Sequence, residues 1–294
     1  MSSVGEALAE ARRLLAEAGI PSAALEARLL LARATGTRQE TLLGWPERDV
    51  PAAARAAFDA LVARRARREP FAHLVGTREF WGLPFAVSPV TLVPRPDSES
   101  VVEAALEAVP DRAAPLRLLD IGTGTGCLLL ALLHELPHAS GLGVDIVPAA
   151  LELAAANAEA LGLAPRARWR LRDAWMPGDA PADIVVANLP YIPEGEIAAL
   201  EPEVAFHEPA SALSGGPDGL DAFRAILPLL PRILAPDGRA FLEVGAGQAG
   251  PVEAIATGIE GLRVLPRRRD LAGVERVVVL AAGQIGLGNP ASPA

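Results

Sequence analysis

The chain's 294 residues are enough for two domains, and 51% of them are hydrophobic, yet no run reaches the ~18 apolar residues of a membrane span. A net charge of −9 opposes the phosphate-neutralising contacts that sequence-independent nucleic-acid binding requires. All 27 basic residues are arginine, so a P-loop lysine and a Schiff-base lysine are both excluded, while the single Cys127 rules out an internal disulfide and suits a reducing cytoplasm.

The opening stretch, MSSVGEALAEARRLL, carries charge throughout and lacks the apolar centre of a signal peptide. Helical spacing of Leu and Ala predicts helices over 4–18 and 22–35, punctuated by Pro21 and Ser22. A further helix over 51–68 ends in Arg64, Arg65, Arg67 and Arg68, which read either as a solvated helix end favoured by the dipole or as a partner-binding patch. Residues 1–75 hold 11 arginines against 9 acids, and the remainder 16 against 27, so the positive charge is concentrated in this small helical domain. Between 76 and 110 aromatic and β-branched residues around Gly82-Leu83-Pro84 predict a hairpin or linker, followed by a helix over 98–108.

From 116 onward, strands and helices alternate. LRLLDIG, SGLGVDI, ARWRLRDA, ADIVVAN, RAFLEVG and residues 276–280 read as strands; 126–136, 148–161 and most of 218–234 read as helices. Such alternation predicts an α/β core over 111–283, a parallel sheet with helices on both faces, and a loose tail over 284–294. His134 and His138 fall on one face of a predicted helix, but with His73 and His207 they form no ligand cluster, and no metal is expected.

LLDIGTGTGCLLL sets a glycine-rich turn between a strand and a helix. Gly122, Gly124 and Gly126, with Thr123 and Thr125 between them, allow a tight turn and close approach to a ligand. Cys127 and Leu128 stand where a P-loop needs Lys and Ser/Thr, and Cys127 stands where a dinucleotide fingerprint needs its third glycine. The pattern Asp120-x-Gly-x-Gly-x-Gly resembles the first motif of S-adenosylmethionine-dependent methyltransferases. Asp145, 19 residues after Gly126 at the tip of the next strand, suits both hydroxyls of a ribose. Asp173, Ala174 and Trp175, at the tip of the third strand, fall where such a fold contacts adenine.

VVANLPYIPEG then ends a buried strand in Asn188, followed by Leu189, Pro190 and Tyr191. This segment resembles the [Asn/Asp]-Pro-Pro-Tyr motif of methyltransferases that act on planar nitrogens. The Asn188 side chain and the Leu189 carbonyl can accept the two hydrogens of an NH2 group, Pro190 stiffens the segment, and Tyr191 offers a flat face.

Taken with EFWGLPFAVSPVTLVPRPDSE (79–99), HEPASALSGGPDGLDAFR (207–224) and GRAFLEVG (238–245), these motifs resemble bacterial peptide chain release factor glutamine methyltransferases nearly end to end. The resemblance implies a Rossmann-like sheet, S-adenosylmethionine as cofactor, and methylation of the glutamine amide in the Gly-Gly-Gln loop of release factors in the cytoplasm. It also implies that residues 1–75 help to grip the release factor, giving Arg64–Arg68 a use, that Arg95 lies near the active site, and that neither nucleic acid nor membrane is a direct partner.

Leu189 departs from the family's usual proline, and Asn-Leu-Pro-Tyr also resembles ribosomal RNA adenine dimethyltransferases. The acidic charge, and a helical region that precedes rather than follows the core, oppose that alternative. A ribosomal-protein glutamine methyltransferase shares the same chemistry and stays open. A binding module without activity is a further alternative, opposed by the intact glycine, Asp145 and Asn188 set. Cys127 is expected to pack against the sheet.

Overall fold

The computed structural model describes residues 2–171 and 180–283. Two compact units are present: Met1–Thr77 with Val87–Pro89 and Ala199–Glu208, and a second built from Arg78–Ala86, Val90–Ala198 and Pro209–Ala294.

The first unit is helical. Its opening helix, Val4–Glu17, starts in a capping box, with the Ser3 hydroxyl accepting from the Glu6 N–H and the Glu6 carboxylate accepting from the Ser3 N–H. Ala7, Ala11 and Leu15 on that helix meet Leu30 and Leu31 of Ala23–Thr35 and Phe58 and Val62 of Ala52–Ala66 in one apolar core. Three of the four clustered arginines are engaged within this unit. Arg65 is buried and donates to Glu26 at 2.5 Å and Glu203 at 2.8 Å. Arg68 donates to the other Glu203 oxygen at 2.8 Å and to the Gly19 carbonyl at 3.0 Å, and Arg64 pairs with Glu69. Arg67 alone of the four is exposed.

β1 (Thr77–Phe80), which but for Thr77 belongs to the second unit, and β2 (Leu83–Ala86) form a hairpin whose two turn residues, Trp81 and Gly82, have φ of 54° and 70°. Two positive φ values match the twist of a tight hairpin, although a tryptophan rarely takes one of them. Here Glu99 and Glu79 accept the Trp81 and Gly82 N–H groups, at 2.9 and 2.7 Å. Phe80 and Phe85 pack edge to face at 6.2 Å inside the core.

The main sheet contains β3 (Arg117–Ile121), β4 (Ser140–Asp145), β5 (Ala167–Leu171), β6 (Ala182–Ala187), β7 (Leu234–Glu243), β8 (Leu262–Arg269) and β9 (Glu275–Ala282) in the order β5-β4-β3-β6-β7-β9-β8. The first five are parallel. β9, however, runs antiparallel to both β7 and β8, so the expected parallel sheet is a mixed one with an antiparallel end.

Strand alternation divides the core. Leu118, Ile184, Val186, Phe241 and Val279 face the helices Glu99–Glu107 and Cys127–Glu135. Leu119, Val185, Ala187, Leu242 and Leu280 face Asp221–Ile226 and Ala249–Thr257. Burial on both faces is why these strands read as continuous apolar runs.

Two local readings need correction. The stretch 218–234 is broken into Asp221–Ile226, a 3-10 turn Leu227–Leu229 and Leu230–Ile233, because Pro228 and Pro231 lack the N–H that a continuous helix needs. His138 does not share a helix face with His134, since the helix stops at Glu135 and Pro137-His138 form a turn. Among the described residues no group of His, Cys, Asp and Glu could hold a metal, and no helix is long and apolar enough to cross a membrane.

Candidate active site

Sequence order reverses at β3, which is flanked by β4 on one side and β6 on the other. Ligands of open α/β sheets settle at the carboxyl ends of strands where this happens. A cavity of about 270 Å³ opens there, and Gly122, Gly124, Asp145, Asn188, Leu189 and Pro190 line it. Thr123, Thr125, Gly126 and Tyr191 do not line it, and Asp173, Ala174 and Trp175 lie outside the described residues.

The glycine turn keeps its shape through buried polar contacts. Gly122 and Gly124 have φ of 72° and 53°, which favour glycine. The Thr123 hydroxyl donates to Asp120 at 2.6 Å, and Asp120 is buried with its other oxygen unpaired; burial pushes its carboxyl up to about 7. Thr125 offers its carbonyl to Asn157 Nδ2 at 2.9 Å. The same buried Asn157 accepts from the Ala86 N–H and donates to the Ala86 carbonyl, which fastens the turn to the hairpin. Gly126, with φ of 80°, ends the turn and starts the helix Cys127–Glu135. Half-buried Cys127 packs against the core, where burial pushes its thiol up to about 12.

At the tip of β4, Asp145 accepts from the Gly124 N–H through Oδ2 and from the Val147 N–H through Oδ1, both at 2.9 Å. Each carboxylate oxygen retains a lone pair for a ligand hydroxyl. A Cβ built on Gly122 would lie 3.9 Å from the Asn188 carbonyl oxygen and 3.5 Å from Leu189 Cδ2. The Leu189 side chain is thus the apolar packing under the glycine turn, which accounts for leucine at this position.

The segment after β6 is held from several sides. Ile192 and Glu194 donate backbone hydrogen bonds to the Leu213 and Gly216 carbonyls, and Gly215 donates to the Ile192 carbonyl. Asn188 Nδ2 donates to Ser98 Oγ at 3.1 Å. Tyr191 reaches Glu243 with its hydroxyl at 3.4 Å, and its phenol is pushed up to about 12, first by burial and then by that carboxylate. Arg95 directly precedes the turn Pro96–Ser98, and its charge acts on the same phenol.

Sequence reading assigned no role to Ser98, Glu243 or Asn157. Glu243 carried one signal, an acid within the apolar run AFLEVG, and Asn157 another, an amide among the alanines of AAANAEA.

The lining fits S-adenosylmethionine: Gly122 and Gly124 let a ligand come close to the turn, and Asp145 is a carboxylate with acceptor capacity to spare. Residues 6–76 match a family model described as the PrmC N-terminal domain, and residues 118–206 one described as a methyltransferase domain. A methyltransferase structure from Pyrococcus furiosus shares the fold at a TM-score of 0.52 and 15% identity, over 75% of this chain and 98% of that one. Fold and site define an S-adenosylmethionine-dependent methyltransferase. Proteins named release factor glutamine methyltransferase are 44% identical over 93% of this chain in Bradyrhizobium diazoefficiens and 45% identical over 93% in Cereibacter sphaeroides, spanning 94% and 96% of those relatives. The chain belongs to the release factor glutamine methyltransferase family.

Proposed function

We propose that the protein methylates the side-chain amide nitrogen of the glutamine in the Gly-Gly-Gln loop of peptide chain release factors, in the cytoplasm. The observation that carries this reading is the closeness of the Asn188–Leu189 segment to the glycine turn: both line one cavity, and a Cβ built on Gly122 would lie 3.9 Å from the Asn188 carbonyl oxygen. S-adenosylmethionine, when bound, supplies an electrophilic methyl group. Gly122, Gly124 and Asp145 would hold it.

The chain's part is orientation. An amide nitrogen is planar and a poor nucleophile, so it must be gripped and aimed. The Asn188 Oδ1 and the Leu189 carbonyl accept its two hydrogens. Tyr191, whose raised phenol keeps it neutral, gives the planar group a face to lie on. The proton shed by the product nitrogen passes to water, so no basic side chain is required beside it. The helical unit, matched by its own family model, recognises the release factor.

Incubating a release factor with the enzyme and S-adenosylmethionine, followed by mass spectrometry, is expected to show one added methyl on that glutamine. An unmodified glutamine would refute the reading.

A further inference from the structure

The Asn188 carboxamide has two ends of similar shape and opposite chemistry, and only the oxygen can accept from an NH2 group. Turned end for end, Asn188 would present donors to donors and hold nothing. Something must therefore select the orientation.

Ser98 Oγ stands 3.1 Å from Asn188 Nδ2. A serine hydroxyl both donates and accepts, so by itself it would tolerate either orientation. In the structure Asn188 Nδ2 is the donor and the Ser98 hydroxyl oxygen the acceptor, which sets the orientation of the carboxamide, and Glu243 acts on the same hydroxyl. Ser98 and Glu243 are 2% and 1% exposed, so the arrangement is shielded from water. Its two ends are fixed: Ser98 ends the turn Pro96–Ser98, and Glu243 is the last residue of β7. Glu243 also receives the Tyr191 hydroxyl, at 3.4 Å.

We infer that Ser98 is a positioning residue for methyl transfer: by accepting from Nδ2, its buried hydroxyl fixes the Asn188 carboxamide with Oδ1 turned to the substrate amide. This rests on the role proposed above for Asn188.

The test compares Ser98→Ala, Ser98→Thr and Asn188→Ala in the full chain, with S-adenosylmethionine and a Gly-Gly-Gln release factor. Ser98→Ala is expected to lose roughly ten- to a hundredfold in kcat, as misplaced positioning groups do, with KM for the release factor and Kd for the cofactor within about threefold. Ser98→Thr, which keeps the hydroxyl, is expected to recover most of that activity. Normal turnover by Ser98→Ala beside an inactive Asn188→Ala overturns this inference and leaves the Asn188 reading standing. Normal turnover by Asn188→Ala removes both. A threonine variant as defective as the alanine one reduces Ser98 to a structural residue and also overturns it.

The unsubstituted protein offers a check that needs no variant to fold. It has three asparagines, Asn157, Asn188 and Asn289, so isotope-labelled asparagine gives a simple set of side-chain amide signals. The Asn188 amide protons are expected to exchange at least about tenfold more slowly than those of free asparagine. Exchange at the free rate overturns the inference.

Discussion

Gln248 holds Tyr191 by its main chain: Nε2 donates to the Tyr191 carbonyl at 2.8 Å, while Oε1 accepts from the Gly245 N–H at 2.9 Å. Gly219 passes so close that a Cβ there would sit 2.2 Å from the same carbonyl. Gln248→Ala is expected to lower kcat about tenfold by loosening this segment, and Gly219→Ala to lower it further by displacing it. Steady-state kinetics with wild-type values for both would contradict the support assigned to Gln248.

Asn188 and Asp145 should separate the two halves of the site. Asn188→Ala is expected to bind S-adenosylmethionine within a few-fold of wild type and to lose most turnover. Asp145→Asn keeps one acceptor and should weaken cofactor binding by about 1 kcal/mol, because one charge-assisted hydrogen bond to the ligand can no longer form. Calorimetry beside a methylation assay checks both, and the opposite pattern would exchange the assignments.

Asn157→Leu would strip the Ala86 N–H and carbonyl and the Thr125 carbonyl of their side-chain partner. Buried groups left unpaired make this cost about 3 kcal/mol of stability, with weaker cofactor binding as the turn loosens. Denaturant unfolding at wild-type stability would show that water fills the gap.

Asp120 supplies a pH test. Its carboxyl is raised by burial from an ordinary 3.8 to about 7 in the folded protein. Between those two values the folded state keeps a proton that the unfolded chain releases, so stability falls as pH rises through this window and levels off above it. Glu243, raised to about 7 chiefly by burial, adds to the same slope. Asp120→Asn retains an acceptor for Thr123 and is expected to gain in relative stability from pH 5 to pH 8. A gap between variant and wild type that stays constant with pH would contradict the buried proton.

Glu203 joins Arg65 and Arg68 within the helical unit. Glu203→Ala leaves the buried Arg65 with Glu26 as its remaining carboxylate and should cost about 3 kcal/mol. Chemical denaturation measures it, and a change near zero would mean that Glu26 suffices.

How much of this was legible in the sequence depended on how local the signal was. Gly122, Gly124, Asp145 and Asn188 announce themselves because strand ends and glycine spacing are read along the chain. Ser98 and Glu243 lie 145 positions apart and meet only when β7 and the turn before Glu99–Glu107 come together, so neither had a readable partner. β8 was missed because Pro266 and three successive arginines look unlike a strand, although a sheet's last strand tolerates proline on its free side. The pairing of Arg65 with Glu203 spans 138 positions, and nothing in EPEVAFHE marks that run as part of the helical unit.

Among the described residues β5 and β8 are the outermost strands, and an outermost strand offers backbone groups to which a neighbouring molecule could add a strand of its own. Arg168 and Arg170 stand on one, and Arg267, Arg268 and Arg269 on the other, where Pro266 also interrupts the ladder. In a chain without lysine, guanidinium groups take over the task of discouraging aggregation. Swapping the β8 arginines for valine would leave the catalytic apparatus untouched and make the protein prone to clump as it leaves the ribosome.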